Sequence, residues 1–143
     1  MVRAGASLFS PGTRATDDDN RIVKELFSAV GTCDMGKEDD IDVASVLVVP
    51  LFGYLVIESM ADGCCKDGTT TESGNENGCS VLLGSAKLLL ESGKTPGQLK
   101  EEVCSPGGVT VTTLHSLEQD GIRATIMNAI EKGTLRAKRM GDK

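Results

Sequence analysis

The spacing of apolar residues changes twice in the first forty positions. Residues 6–10, Ala-Ser-Leu-Phe-Ser, are short and mixed and run into Pro11 and Gly12, which predicts a brief strand. Ile22, Val23, Leu26, Phe27 and Val30 then recur at helical spacing. They follow Asp17, Asp18 and Asp19, carboxylates that suit the positive end of a helix dipole, and Gly31 is placed to end the helix as a C-cap glycine. Residues 32–36 predict a second strand. The expected result is one strand-helix-strand unit, too small to form a sheet domain alone.

From Glu38 onward the period is helical. Residues 43–61 predict one apolar helix that ends at Ala61-Asp62-Gly63. Within it, residues 46–57 carry no charge, but a membrane span needs about 20 such residues. With Pro50 and Gly53 inside the run and Asp42 and Glu58 flanking it, a buried core helix entered near Pro50 is expected, with no membrane partner. Residues 66–78 are polar and rich in glycine and predict a loop. Residues 79–91 predict a helix through Val81, Leu82, Ala86, Leu88, Leu89 and Leu90. Thr95-Pro96-Gly97-Gln98 has the form of a helix start, with Thr as cap, Pro first and Gln three after the cap. That helix should end near Val103. Ser105-Pro106 predicts another start, for a helix through Leu117, and Asp120-Gly121 breaks it. A last helix is expected over 122–139, with Ile122, Ile126, Ala129 and Ile130 on one face and Arg136, Lys138, Arg139 and Lys143 as a solvated basic end.

Composition narrows the functional classes. The 143 residues are 39% hydrophobic but only 3% aromatic, so the core must be aliphatic. Fifteen basic against 21 acidic residues give a net charge of −6. A nucleic-acid surface needs clustered positive charge, so no nucleic-acid partner is expected. Cys33, Cys64, Cys65, Cys79 and Cys104 include no Cys-x-x-Cys pair, and His115 is the single histidine, which leaves no framework for a metal. The cysteines are expected to be reduced thiols, and His115 a core or interface histidine. Residues 31–37 have phosphate-loop spacing, but Glu38 stands where a hydroxyl is needed. No two glycines lie two apart, so no dinucleotide fingerprint occurs in the chain.

Ser105-Pro106-Gly107-Gly108 precedes a helix whose free amides and dipole would favour an anion. Two glycines clear the approach, and Thr110 adds a hydroxyl. By themselves these residues describe an ordinary helix, capped by Ser105 with Pro106 first and no ligand, better than they describe a binding site. Their surroundings carry more. Pro96-Gly97-Gln98-Leu99-Lys100, Ser105 to Gly108, Thr110, Leu114-His115, Leu117-Glu118 and Gly121 resemble, in order and spacing, the C-terminal signature of the pyrroline-5-carboxylate reductase family. Ala61-Asp62-Gly63, Leu82-Leu83-Gly84 and Ala86-Lys87 match further landmarks of that family. Val2-Arg3, Gly5-Ala6 and Gly12 resemble its last sheet strand, and Ser28-Ala29-Val30-Gly31 the next turn.

The resemblance implies a mainly α protein. Residues 1–37 would be the C-terminal remnant of a Rossmann-type nucleotide-binding domain, and 38–143 a helical dimerisation and substrate domain. It implies an oxidoreductase of proline biosynthesis, in which NAD(P)H reduces 1-pyrroline-5-carboxylate to L-proline. The pocket would lie at a homodimer junction. Ser105, Pro106, Gly107, Gly108 and Thr110 would bind the substrate, with Thr110 catalytic through a hydrogen bond to the ring nitrogen. No cofactor-binding or metal-binding residues are expected, and a cytoplasmic or mitochondrial location is. Two departures from the family pattern stand out. Its Ser-Gly-Ser-Gly-Pro-Ala-Tyr stretch, aligned on Pro50, is replaced by the bulky run from Val46 to Phe52, expected to close space against cofactor and substrate. The helix that follows Ala61-Asp62-Gly63 in the family is expected to be a loop here. The family also carries a complete nucleotide-binding domain ahead of the matching region, so turnover by these 143 residues alone is not expected. A non-catalytic dimerisation or interaction protein, favoured by residues 46–49, and a membrane-associated protein remain open beside the enzyme reading.

Overall fold

The computed structural model describes residues 5–47 and 49–141. Val2-Arg3, Val48 and Lys143, which entered the sequence reading, lie outside the described residues. Strands β1 (Gly5–Phe9) and β2 (Gly31–Met35) pair in parallel, Gly5 opposite Gly31 and Phe9 opposite Met35, with α1 (Asp17–Ser28) between them. Helices follow: α2 (Glu38–Leu47), α3 (Leu51–Cys65), α4 (Thr71–Ser92), α5 (Pro96–Glu102), α6 (Val109–Gln119) and α7 (Ile122–Gly141). The fold is mainly α behind one strand-helix-strand unit. The chain divides into two compact units, one of the described residues up to Val49 with those from Arg123 on, the other Pro50–Ile122.

In the first unit, β1 and β2 approach so closely that a side chain at Gly31 would strike the backbone of Gly5. Cys33 on β2 is buried. α1 is closed by a capping box: the Thr16 amide donates to Asp19 Oδ2 at 2.8 Å and the Asp19 amide to Thr16 Oγ1 at 3.3 Å. Gly31 is not its C-cap. α1 ends at Ser28 with Ala29 at the cap, because Ala29 and Val30 turn their amides back onto Leu26 and Phe27, and Gly31 opens β2 instead. The Thr16 amide, and then its hydroxyl, hold the Asp19 carboxyl below its ordinary value of 3.8. A depressed value means the cap stabilises α1 above about pH 4 and is lost as the pH falls through the folded-state value. A carboxyl-carbon NMR titration should place Asp19 below its ordinary value of 3.8, and Thr16→Val should move it up.

The predicted single helix over 43–61 is two helices. α2 stops at Leu47 and α3 starts at Leu51, because proline has no amide to continue the ladder and disfavours helical geometry in the residue before it. By length and composition the stretch Glu38–Cys65 could cross a membrane. As formed, its helices have 10 and 15 residues. The expected burial of this stretch is not met within one chain: on α3 only Ala61 is buried, and Tyr54 is 67% exposed. Val46 is accommodated by α7, where Gly133 leaves so little room that a Cβ there would lie 2.8 Å from Val46 Cγ2.

In the second unit, the loop expected over 66–78 is shorter than its composition implied. α4 begins at Thr71, with Thr70 capping it through Ser73 N at 3.3 Å, so the helix expected to be missing after Ala61-Asp62-Gly63 is present. Its first turns carry glycines because α3 runs against them. Ala61 meets Gly74 and Ile57 meets Gly78, an antiparallel crossing with no space for larger residues at Gly74. The start predicted at Thr95 forms as expected. Thr95 N donates to Gln98 Oε1 at 2.9 Å, Gln98 N donates to Thr95 Oγ1 at 3.3 Å, and Pro96 is the first helical residue.

Candidate substrate-carboxylate site

Between α5 and α6 the chain makes a tight turn. Cys104 N donates to Glu101 O at 3.1 Å and Gly108 N to Ser105 O at 3.0 Å. Gly107 carries the turn with φ of +69°, a left-handed conformation that glycine adopts without Cβ strain. Ser105 is therefore not the cap of α6. The helix begins four residues later, at Val109, with Gly108 in the capping position. Gly108 has no side chain to accept from the amides of Thr110 and Val111, the pair that an N-cap oxygen ordinarily serves. The first α-helical hydrogen bond runs from Thr112 N to Gly108 O at 3.4 Å. The amides at the start of α6 thus face outward uncapped, with the helix dipole behind them.

The threonines of this turn divide in role. Thr112 Oγ1 donates to Gly108 O at 3.2 Å and Thr113 Oγ1 to Val109 O at 3.0 Å, so both hydroxyls are engaged on the helix backbone. The Thr110 hydroxyl has no hydrogen-bond partner among the described residues, and Thr110 lines an almost wholly apolar groove of about 360 Å³ between α5 and α6. Lys100 and Cys104 form one side of the groove, and Thr110, Thr113, Leu114 and Leu117 the other. Apart from Lys100 its lining is uncharged. Of the residues singled out in the sequence, Ser105 to Thr110 come together on one turn and helix start, all accessible except Gly108, which is half-buried. His115, expected in a core or interface, is exposed on α6 in the single chain. Lys100 also lines the groove, with its ammonium 3.9 Å from Glu118 Oε1, near the C-terminal end of α6.

The strand-to-helix junctions do not suit a dinucleotide pyrophosphate. At α1 the Thr16 and Asp19 amides are taken by the capping box, and Asp17 and Asp18 add carboxylates to the first turn. At α2 the first turn is Glu38, Asp39 and Asp40, and Asp40 already accepts from Lys37 N at 3.0 Å. Carboxylates at both helix starts repel a phosphate, whereas the first turn of α6 carries no acidic residue.

An uncapped helix start beside an aliphatic groove, on a helical domain trailing a parallel strand-helix-strand unit, defines a class that the relatives make specific. Residues 38–140 match the family model for pyrroline-5-carboxylate reductase dimerisation. The chain belongs to the pyrroline-5-carboxylate reductase family. It is 39% identical over 142 residues to pyrroline-5-carboxylate reductase 2 of Bos taurus, covering 98% of this chain and 44% of that protein. It is 42% identical over 144 residues to the pyrroline-5-carboxylate reductase of Methanosarcina acetivorans, covering 99% and 53%. The chain thus spans about half the length of the curated relatives it matches. Among solved structures, the Plasmodium falciparum pyrroline carboxylate reductase with NADP bound superposes with a TM-score of 0.91 at 30% identity, over 97% of this chain and 54% of that one.

Proposed function

We propose that this chain carries the dimerisation and substrate-carboxylate half of a pyrroline-5-carboxylate reductase. The single observation behind the reading is the helix start at Gly108: uncapped amides, a left-handed glycine turn and a free Thr110 hydroxyl, all within the segment that matches the family. The carboxylate of 1-pyrroline-5-carboxylate or L-proline sits on the amides of 109–111. Thr110 hydrogen-bonds the ring nitrogen, which holds the C=N bond in one orientation for reduction at its carbon. NAD(P)H is the reductant of the complete reaction, and the described residues address only the other reactant. The exposed apolar surface, with Leu90 at 85% and Val109 at 84%, fits a homodimer that covers it. A non-catalytic dimerisation protein is the second reading, favoured by that same surface.

Titrating L-proline into the isotope-labelled chain should move the amide signals of Gly107, Gly108 and Thr110, and Thr110→Val should weaken the response several-fold. Shifts elsewhere with these three silent would remove the site. A dimer in sedimentation without any proline response would leave the second reading standing, and a monomer at micromolar concentration would remove both.

A further inference from the structure

We propose that the basic stripe on α7, Lys132, Arg136 and Arg139, docks on the acidic start of α2 in a second copy of this chain. The inference rests on the self-association in the reading above and adds to it a charged contact of defined polarity. α7 carries five of the fifteen basic residues and one of the 21 acidic ones. Lys132, Arg136 and Arg139 recur at spacings of four and three, so they share one face of the helix, and all three are exposed. Lys138 stands apart, on a groove that α7 forms with Val43 of α2. The helix dipole accounts for cations in the last turn, which holds Lys138 and Arg139. Lys132 and Arg136 lie outside that turn.

At the two helix starts of the same unit, some carboxylates are already engaged. In α1, Asp18 pairs with Arg21 and Asp19 closes the capping box. In α2, Asp40 accepts from Lys37 N at 3.0 Å. The side chains of Glu38, Asp39 and Asp42 have no partner among the described residues, and neither have those of Lys132, Arg136 and Arg139. Glu38 and Asp39 are exposed, and Asp42 is half-buried. Glu38 and Asp42 stand four residues apart, the same pitch as Lys132 and Arg136. Within one chain α2 and α7 meet where Val46 enters the notch at Gly133, yet among the described residues no ion pair joins these two rows of charge. A second copy can bring them together. With a net charge of −6 on each chain, two copies repel at long range, and the α7 stripe is a place where the local field reverses that.

Sedimentation of the 143-residue chain tests this. Raising the salt from about 50 mM to about 500 mM should weaken self-association of the unaltered chain about tenfold. Reversing the stripe by Lys132→Glu, Arg136→Glu and Arg139→Glu should weaken it by at least about tenfold at low salt, and so should reversing the other row by Glu38→Lys and Asp39→Lys. Mixing the two reversed chains should restore association, now as a pair of unlike chains, which also shows that each remains folded. Self-association that responds neither to salt nor to reversal overturns the proposal and leaves an apolar dimer standing. So does a mixture that stays apart while each chain keeps its helix content by circular dichroism. Reversal of α7 that alters only adhesion to phosphatidylserine vesicles overturns it in favour of a lipid contact. An unaltered chain that is monomeric at low salt sinks the self-association itself, and this contact with it.

Discussion

Gly74→Leu is expected to unfold the α3–α4 pair, while Gly84→Ala, on the same helix, makes the protein more stable. Both replace a helical glycine, and propensity alone would reward each by up to about 1 kcal/mol for alanine. Position 84 is open, with nothing within 4 Å of a new Cβ, so the propensity gain stands. At position 74 the new Cβ would lie 2.7 Å from Ala61 Cα and 3.0 Å from Ala61 Cβ. Those atoms are backbone and the root of a side chain, and they cannot swing aside as the end of a lysine would. The helices must separate, which uncovers Ala61 and Ile57. Overpacking of this kind costs roughly 1–3 kcal/mol and more for a full leucine. Domain stabilities are only about 5–15 kcal/mol. Urea titrations followed by far-UV circular dichroism should show a large fall in midpoint for Gly74→Leu, a smaller one for Gly74→Ala and a rise for Gly84→Ala. A Gly74→Leu midpoint equal to that of the unaltered chain would mean that α3 and α4 do not cross at this point.

Gly107→Val should abolish the proline response without unfolding the protein. The φ of +69° at Gly107 lies where an L-residue loses about 1–2 kcal/mol, with a β-branched residue worst placed of all. The turn would relax toward negative φ and carry Ser105 and Gly108 apart, since the Gly108 N to Ser105 O bond depends on it. The amides of α6 would then no longer converge with the Thr110 hydroxyl. A loss of at least about tenfold in proline affinity is expected, equivalent to about 1.4 kcal/mol. Gly107→Asn is the informative companion, because asparagine tolerates the left-handed region and should retain most of the binding. If valine and asparagine weaken proline equally, the turn's conformation is not what holds the ligand.

The sequence was readable wherever apolar periodicity or cap chemistry marked an element. Ile22, Val23, Leu26 and Phe27 revealed α1, and Thr95, Pro96 and Gln98 marked the start of α5 to the residue. The errors share a cause. The polar, glycine-rich composition of residues 71–78 predicts a loop, yet Gly74 and Gly78 recur at helical spacing on the face that meets α3. The periodic property there is smallness, which a search for apolar residues passes over. At Ser105-Pro106 a capping serine followed by proline made a credible start, but two glycines after it permitted a turn that postponed α6 to Val109. The site's identity came from a family pattern. Its geometry, with amides left uncapped by Gly108 and Thr110 on a groove shared with α5, needed three dimensions, because no local rule ties the wall of α5 to the face of α6.

Gly133 on α7 receives Val46 on α2, and this pairing bears on the order in which the chain can acquire its structure. Emerging from a ribosome, α2 precedes α7 by most of this chain, so the notch that Val46 occupies is made long after Val46 itself. Pro50–Ile122, by contrast, is an unbroken stretch whose contacts close on themselves. Residues 50–122 can therefore settle while α2 waits for α7, its Val46 uncovered. That interval is when a nascent chain is most open to a chaperone, and a stop codon ahead of Gly133 would make the wait permanent.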